Sequence, residues 1–150
     1  KNLEAFLNLP THESKVVVGS GPMLDEYKIK YKDITFVGPK FGNELAQFYS
    51  DASVFVFPSM TDTYGIVMIE AMACGTPVAA FPVTGPIDVI EPNLNGSVNE
   101  DLERAVSQAK VISSQSCIDS VKNLSWDSVT QTFLDTLVHC KSNQEKIVQA

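Results

Sequence analysis

The sequence predicts an α/β fold in which helices cover both faces of a parallel sheet. Four short segments are apolar at consecutive positions, as strands buried on both faces are. They alternate with segments whose apolar residues recur at helical spacing. This alternation is typical of a Rossmann-like sheet, and 150 residues are enough for one such domain.

Strands and helices are predicted in alternation along the first half of the chain. The predicted strands span residues 15–19, 34–38, 53–57 and 77–81. The predicted helices span residues 2–9, 22–31, 43–52 and 64–74. Pro10 ends the first helix, and Gly75 followed by Pro77 ends the fourth, because both residue types stop helices at these positions.

After Pro92 the pattern changes to amphipathic helices, which we predict at residues 99–112, 116–123 and 125–140. Ser125 is a candidate N-cap because its hydroxyl can accept a hydrogen bond from a backbone N–H of the next turn. One domain is therefore predicted over residues 1–140. The polar tail, residues 141–150, is predicted to fray.

Composition excludes several classes of protein. The net charge of −7 argues against a surface for nucleic acid or anionic lipid. The three cysteines are widely spaced without a metal-binding or CxxC pattern, which predicts reduced thiols, a cytoplasmic location and no metal site. No apolar run reaches the roughly 18 residues that span a bilayer.

The segment 57–75, FPSMTDTYGIVMIEAMACG, carries the strongest functional signal. Seven residues separate Asp62 from Glu70, and Gly65 lies between them where a strand is predicted to turn into a helix. A helix N-terminus attracts anions through its free N–H groups and its dipole, and a glycine lets a phosphate approach the backbone. An acid further along the helix can accept hydrogen bonds from sugar hydroxyls. The segment therefore predicts a phosphate-bearing ligand.

Both acids also have a plainer interpretation. Asp62 could cap a helix that begins at Thr63 or Tyr64. Glu70 interrupts an otherwise apolar helix, where an unpaired buried acid is costly. Either a ligand hydroxyl satisfies Glu70, or the side chain lies on a solvent-facing stripe.

Two glycine turns and the distribution of cations complete the set of candidates. Residues 19–21, Gly-Ser-Gly, match half of a dinucleotide fingerprint, and a tight strand–helix turn is the favoured interpretation. Gly85 and Pro86 form either a simple turn or a second loop at the carboxyl ends of the strands, where open α/β sheets bind ligands. Residues 51–100 contain no Lys or Arg, so cations for a phosphate would come from Lys40, or from Lys1 if it folds back.

The string 58–90, PSMTDTYGIVMIEAMACGTPVAAFPVTGPIDVI, resembles the signature of glycosyltransferase family 4. The family pattern is an acid, seven residues and a glutamate within the context PS…E-x-FG…EAMA-x-G-x-PVVA. Here the first acid is Asp62, Tyr64 precedes the glycine, and Asp88 stands where the family often has glutamate. The segments VVGSGPM, ITFVG and FYSDASVFVFPS extend the similarity to roughly residues 1–140.

The resemblance implies the C-terminal, donor-binding half of a GT-B glycosyltransferase. Such an enzyme would transfer a hexose, with retention, from a UDP- or GDP-sugar to an acceptor, without a metal or other cofactor. The acceptor domain or subunit is expected to be supplied elsewhere, which leaves peripheral membrane association open, and the chain alone is expected to be inactive. The alternative is a non-catalytic remnant that binds a nucleotide or partners another subunit.

The sheet is also expected to lack its first strand, which is central in a 3-2-1-4-5-6 order. Either strand 15–19 then pairs directly with strand 53–57, or another chain fills the place between them. Two other classes fit fewer residues. For a flavodoxin-like or dinucleotide-binding protein, this sequence lacks the acid expected about 20 residues after the glycine turn. A sugar-nucleotide epimerase of the same architecture fits less of the motif.

Roles for individual residues follow from the resemblance. Glu70 would bind the ribose hydroxyls of the nucleotide, and Asp62 would face the donor sugar, so these two acids are the implied catalytic residues. The other residues implied in donor binding are Lys1, Gly19, Val37, Gly38, Ser59, Tyr64, Gly65, Ile66 and Val67. Of these, Lys1 would contact the diphosphate, and Val37 and Gly38 would lie near the base.

Overall fold

The structure is a computed structural model, and it describes residues 1–136 apart from the side chains of Trp126 and Val129. Five strands alternate with helices in this part of the chain: β1 (Val16–Val18), β2 (Thr35–Gly38), β3 (Phe55–Phe57), β4 (Val78–Ala80) and β5 (Gly96–Val98). The helices are α1 (Leu3–Leu7), α2 (Leu24–Lys30), α3 (Gly42–Ser50), α4 (Ile66–Ala73), α5 (Pro86–Val89), α6 (Leu102–Ala109), α7 (Ser114–Val121) and α8 (Trp126–Thr136). The predicted α/β class is confirmed.

The strands form two parallel sheets. β1 pairs with β2, and the second sheet has the order β3-β4-β5. All three registers are parallel, with Val16 opposite Thr35, Phe55 opposite Val78, and Val78 opposite Gly96. Direct pairing of β1 with β3, one of the two arrangements expected from the sequence, is absent from the described residues.

The sheet β3-β4-β5 separates two apolar clusters. Val78 and Ala80 of β4 belong to a cluster with α4 and α7, whereas Ala79 belongs to the opposite cluster with α6. This alternation follows from the period-2 geometry of a strand. The buried side chains that helices contribute to the two clusters are Tyr49, Met68, Ala71, Met72, Cys117, Val121, Leu102, Ala105 and Ala109. Helices therefore cover both faces of this sheet, as predicted.

The sheet β1-β2 is much less covered. None of residues 8–48 is buried, and Val16 is 42% exposed. A two-stranded sheet has an edge on each side, so its side chains have few neighbours. Coverage on both faces, which the apolar strands predicted for the whole sheet, is therefore found in β3-β4-β5 but not in β1-β2 among residues 1–136.

The helix ends follow the sequence signals closely. Gly75 has a left-handed φ of 84° directly after α4 and its C-cap, Cys74. The Gly75 N–H donates to the Met72 carbonyl, and the Thr76 N–H donates to the Ala71 carbonyl, which together form a Schellman motif. At α8 the predicted cap is confirmed because Ser125 Oγ accepts from the Ser128 N–H at 3.1 Å. The remainder of the predicted helix 125–140 and the segment 141–150 lie outside the described residues after Thr136.

Two elements were missed by the sequence patterns. β5 has the sequence Gly-Ser-Val, which offers one large apolar side chain, and α5 has only four residues. Close approach to β4, rather than apolar character, determines β5. A Cβ atom on Gly96 would lie 2.3 Å from the Val78 carbonyl oxygen and 3.0 Å from Ile90 Cγ2.

We therefore expect Gly96→Ala to lower the free energy of unfolding by about 1–3 kcal/mol, because the backbone of β4 must shift to admit the methyl group. Urea denaturation measures this change. Gly21→Ala is the matched control, since a Cβ atom there meets nothing within 4 Å. Equal effects of the two substitutions would contradict the packing argument.

Candidate functional site

The loop between β3 and α4 forms the centre of the site. Gly65 is the N-cap of α4 and has a left-handed φ of 73°. A Cβ atom there would lie 2.4 Å from Met68 Cε, so a side chain would be strained and crowded. Ile66 and Val67, the first two residues of α4, are exposed at 53% and 38%. The first turn of α4 thus exposes two apolar residues, and its N-cap makes no side-chain cap hydrogen bond.

Asp62 organises this loop with both carboxylate oxygens. Oδ1 accepts from the backbone N–H groups of Thr63 at 2.8 Å and Tyr64 at 3.3 Å, whereas Oδ2 contacts Lys1 Nζ at 3.2 Å. The interpretation of Asp62 as a helix cap is wrong, because α4 begins only at Ile66 and Gly65 caps it. The hydrogen bond from Lys1 is the largest cause of a lowered Asp62 pKa, and the two backbone N–H groups add to it.

Lys1 folds back onto the site, which was the condition for it to supply a cation there. Its ammonium group lies 5.6 Å from the centre of the Phe57 ring and bonds Asp62, which is 61 positions away in sequence. The Lys1 side chain remains 76% exposed, so its other N–H groups face solvent. Lys40, the other candidate cation, forms an ion pair with Glu44 on α3.

Glu70 lies on the exposed face of α4. Glu70 is therefore not an unpaired buried acid, and its exposed position leaves the carboxylate accessible to a ligand. Glu70 Oε2 accepts a hydrogen bond from the Tyr49 hydroxyl at 3.3 Å. Ile66 and Val67 are exposed on the same helix, so α4 presents a surface with apolar residues near its start and a carboxylate one turn later.

Tyr49 is a site residue that the sequence patterns did not indicate. Its ring is buried, at 8% exposure. A buried phenol usually finds a hydrogen-bond partner. The need of a buried phenol for an acceptor, together with the acid on the next helix, could have predicted the contact with Glu70.

A second group of predicted residues meets at the carboxyl ends of β1 and β2. The Gly19 N–H donates to the Gly38 carbonyl at 2.8 Å, and both glycines have left-handed φ values, 128° and 76°. Val37 precedes Gly38 in β2 and is partly buried. The tight-turn interpretation of residues 19–21 is favoured, because α2 begins only at Leu24. The structure brings Gly19, Val37 and Gly38 together on the β1-β2 sheet.

The loop after β4 contacts the loop after β3. A Cβ atom on Gly85 would lie 3.4 Å from the Asp62 carbonyl oxygen, and Gly85 has a left-handed φ of 94°. The Gly85 N–H donates to Asp88 Oδ2 at 3.3 Å, so Asp88 holds the start of α5. Ser59 is buried, and its hydroxyl donates to the Thr61 carbonyl at 2.9 Å. Ser59 thus lies beneath the loop that carries Asp62.

Residues 1–136 contain neither a metal-binding cluster nor a membrane-spanning helix. No group of three His, Cys, Asp or Glu side chains in this range is placed to hold a metal ion. Within the same range, no helix has both the length and the apolar character that a bilayer crossing requires.

Most of the chain matches a known protein family. The model of the family described as glycosyl transferases group 1 matches residues 3–113. The chain belongs to this family. Among its relatives, an uncharacterized glycosyltransferase of Methanocaldococcus jannaschii is 31% identical over 143 residues, and a D-inositol 3-phosphate glycosyltransferase of Mycobacteroides abscessus is 32% identical over 112.

The matches span much of this chain but only part of the relatives. They cover 82% and 69% of this chain, against 36% and 25% of the two relatives. Sucrose-phosphate synthase of Thermosynechococcus elongatus has a TM-score of 0.68 at 27% identity, covering 89% of this chain and 39% of its own. HepE of Anabaena, solved with UDP, has a TM-score of 0.66 at 19% identity, covering 90% and 43%. The fold is the C-terminal half of the GT-B architecture.

The Asp62 contacts predict a specific pH dependence of stability. Because Lys1 and the backbone donors lower the Asp62 pKa in the folded chain, their contribution is present above the ordinary value of 3.8 and is lost as pH falls through the lowered value. Asp62→Asn should therefore destabilise the chain at pH 7 and have progressively less effect below about pH 4.

Urea denaturation of both forms between pH 7 and pH 3 tests this. In a Lys1→Ala background the pH-dependent difference should shrink, because the largest cause of the lowered pKa has been removed. A difference that stays constant over the whole range would contradict the assignment.

Proposed function

We propose that this chain is the donor-binding half of a retaining glycosyltransferase that uses a UDP- or GDP-linked hexose. The observation that carries the proposal is the meeting of three features at the carboxyl end of β3. These are the ammonium group of Lys1, the carboxylate of Asp62 and the N-terminus of α4, which has no side-chain cap. A cation beside a helix N-terminus is suited to a diphosphate.

The diphosphate would lie against the first turn of α4. Backbone N–H groups around Gly65, Ile66 and Val67 would donate to phosphate oxygens, and Lys1 would supply the nearby positive charge. When the bond between the anomeric carbon and the phosphate oxygen breaks, negative charge develops on the diphosphate. Donors fixed in advance stabilise that charge, which is the expected main source of rate acceleration.

The nucleoside would lie along the exposed face of α4. Glu70 Oε1 has no hydrogen-bond partner among the described residues, so it is available to ribose hydroxyls. Val37 and Gly38 at the end of β2 would contact the base. This arrangement uses two acids for different tasks, because Asp62 lies in the loop before α4 and Glu70 lies one turn inside the helix.

The sugar would lie between the loops after β3 and β4. Asp62 would face it, with Tyr64 and the Gly85 turn forming the walls. Tyr64 is 46% exposed and Gly85 lies against the Asp62 backbone. Asp62 is one methylene shorter than the glutamate of the family pattern, so the donor sugar would have to approach the loop more closely.

The solved relatives support a nucleotide sugar as the ligand class. Anabaena HepE was solved with UDP-glucose, and the pneumococcal O-GlcNAc transferase GtfA was solved with UDP and GlcNAc. This chain covers 43% and 31% of those proteins. Because the chain covers only part of these proteins, we propose that a separate domain or subunit holds the acceptor. We also propose that no metal takes part in the transfer. The proposed location is the cytoplasm, with any membrane contact made through the acceptor domain.

Calorimetric titration of the chain with UDP, GDP and ADP, followed by UDP-glucose and GDP-mannose, tests the donor site. Binding of one nucleotide and its sugar conjugate would support the proposal and identify the base. A cooperatively folded chain that binds none of them would contradict it.

Glu70→Gln should weaken binding of that nucleotide by about 10- to 100-fold, because hydrogen bonds to a charged carboxylate are lost. Glu103→Gln is the matched control, since it removes the same charge from the first turn of α6 on the other face of the sheet. Unchanged affinity in Glu70→Gln would show that the ribose assignment is wrong.

The chain by itself should show no sugar transfer, because the proposed acceptor site is not part of it. A radiolabelled donor incubated with candidate acceptors and the purified chain measures this directly. Turnover by the chain alone would contradict the proposal that a separate domain or subunit holds the acceptor. Donor binding without turnover would agree with it.

A further inference from the structure

The hydrogen bond between Tyr49 and Glu70 joins two helices that flank the candidate site. We infer that Tyr49 is a positioning residue that holds the Glu70 carboxylate ready for the two ribose hydroxyls of the nucleotide. The inference rests on the proposed function, since it deepens the role of Glu70. It adds a residue that lies on α3, outside the loop and helix that carry the motif.

Tyr49 is itself held firmly. Its ring is 8% exposed and meets the Phe55 ring edge to face, with the ring centres 5.3 Å apart and the planes at 87°. Its carbonyl accepts a hydrogen bond from the hydroxyl of Thr76, which is 1% exposed. Strand β3 and the turn after α4 therefore fix the position of the phenol oxygen.

Glu70, in contrast, is an exposed side chain with several freely rotating bonds. Binding a ligand through such a side chain loses rotamer entropy. The Tyr49 hydroxyl donates to Oε2 at 3.3 Å, which restricts the carboxylate, while Oε1 has no hydrogen-bond partner among the described residues. The α3–α4 contact thus performs part of the ordering before a nucleotide arrives, which is the general advantage of preorganisation.

The phenol stays protonated for this purpose. Burial is the largest cause of a raised Tyr49 pKa, and the negative charge of Glu70 and its hydrogen bond raise it further. The hydroxyl is therefore protonated at neutral pH and able to donate. A phenylalanine at this position would keep the ring packing and lose only the donor.

The consequence is selectivity for ribose. A site whose polar groups are already arranged for hydroxyls discriminates strongly against a ligand that lacks them. Tyr49 should therefore matter for nucleotides that carry the 2′ and 3′ hydroxyls and have no effect on those that lack them. A purely structural tyrosine would affect both kinds of nucleotide equally.

The test compares Tyr49→Phe with the unmodified chain by calorimetry, using UDP and 2′,3′-dideoxy-UDP, or the matching GDP pair if GDP is the nucleotide that binds. We expect Tyr49→Phe to weaken UDP binding about three- to tenfold, as the loss of one hydrogen bond would, and to leave dideoxy-UDP unchanged. Tyr31→Phe is the matched control, because it removes a phenol hydrogen bond to Asn8 at an exposed position away from α4. Thermal melts check that each variant folds.

A double-mutant cycle separates positioning from packing. In a Glu70→Gln background, Tyr49→Phe should have little further effect on UDP affinity if Tyr49 acts through Glu70. Additive losses, equal losses for both nucleotides, or no loss at all would overturn the inference. If the unmodified chain binds neither UDP nor GDP, the proposed function fails and the inference falls with it. If it binds UDP and dideoxy-UDP equally, the donor site stands and the ribose role of both residues is overturned.

Discussion

The burial of β4 on both faces is the constraint on which the rest of this structure depends. Val78, Ala79 and Ala80 are each 0% exposed. Their side chains alternate between a cluster that holds α4 and a cluster that holds α6, so the register of one short strand fixes two helices. A shift by one residue would exchange the two faces and displace both helices. This packing therefore sets the positions of the loops at the carboxyl end of the sheet.

The site combines that rigid base with a backbone that only glycine permits. Gly65 precedes α4 in a left-handed conformation that glycine adopts without strain, and no side chain caps the helix. Asp62 lies three residues before this N-cap, and its carboxylate bonds Lys1 and the backbone of the turn before the helix.

Sequence patterns predicted the strands and helices that are defined by apolar residues, and they placed most candidate site residues at the carboxyl ends of the strands. They failed where an element depends on a close approach across strands. β5 is a strand because Gly96 fits against the Val78 carbonyl, and nothing in Gly-Ser-Val reveals that neighbour. The exposure of Glu70 and its contact with Tyr49 depend on how α3 packs on α4, which periodicity within one helix does not contain. The division into two sheets likewise depends on pairing between distant segments.

The uneven burial of the two sheets has a consequence for the dynamics of ligand recognition. Segments with few buried contacts open locally at lower free energy than the core and exchange their amide protons sooner. Residues 8–48 contain no buried side chain, and they include Gly38, where the base of a nucleotide is proposed to lie. Glu70, by contrast, stands on a helix packed against the fully buried strand β4. A nucleotide that contacts both Gly38 and Glu70 would stabilise the closed state of the β1-β2 sheet when it binds. Amide exchange in β1 and β2 would therefore slow on binding, although Glu70 lies on a different part of the fold.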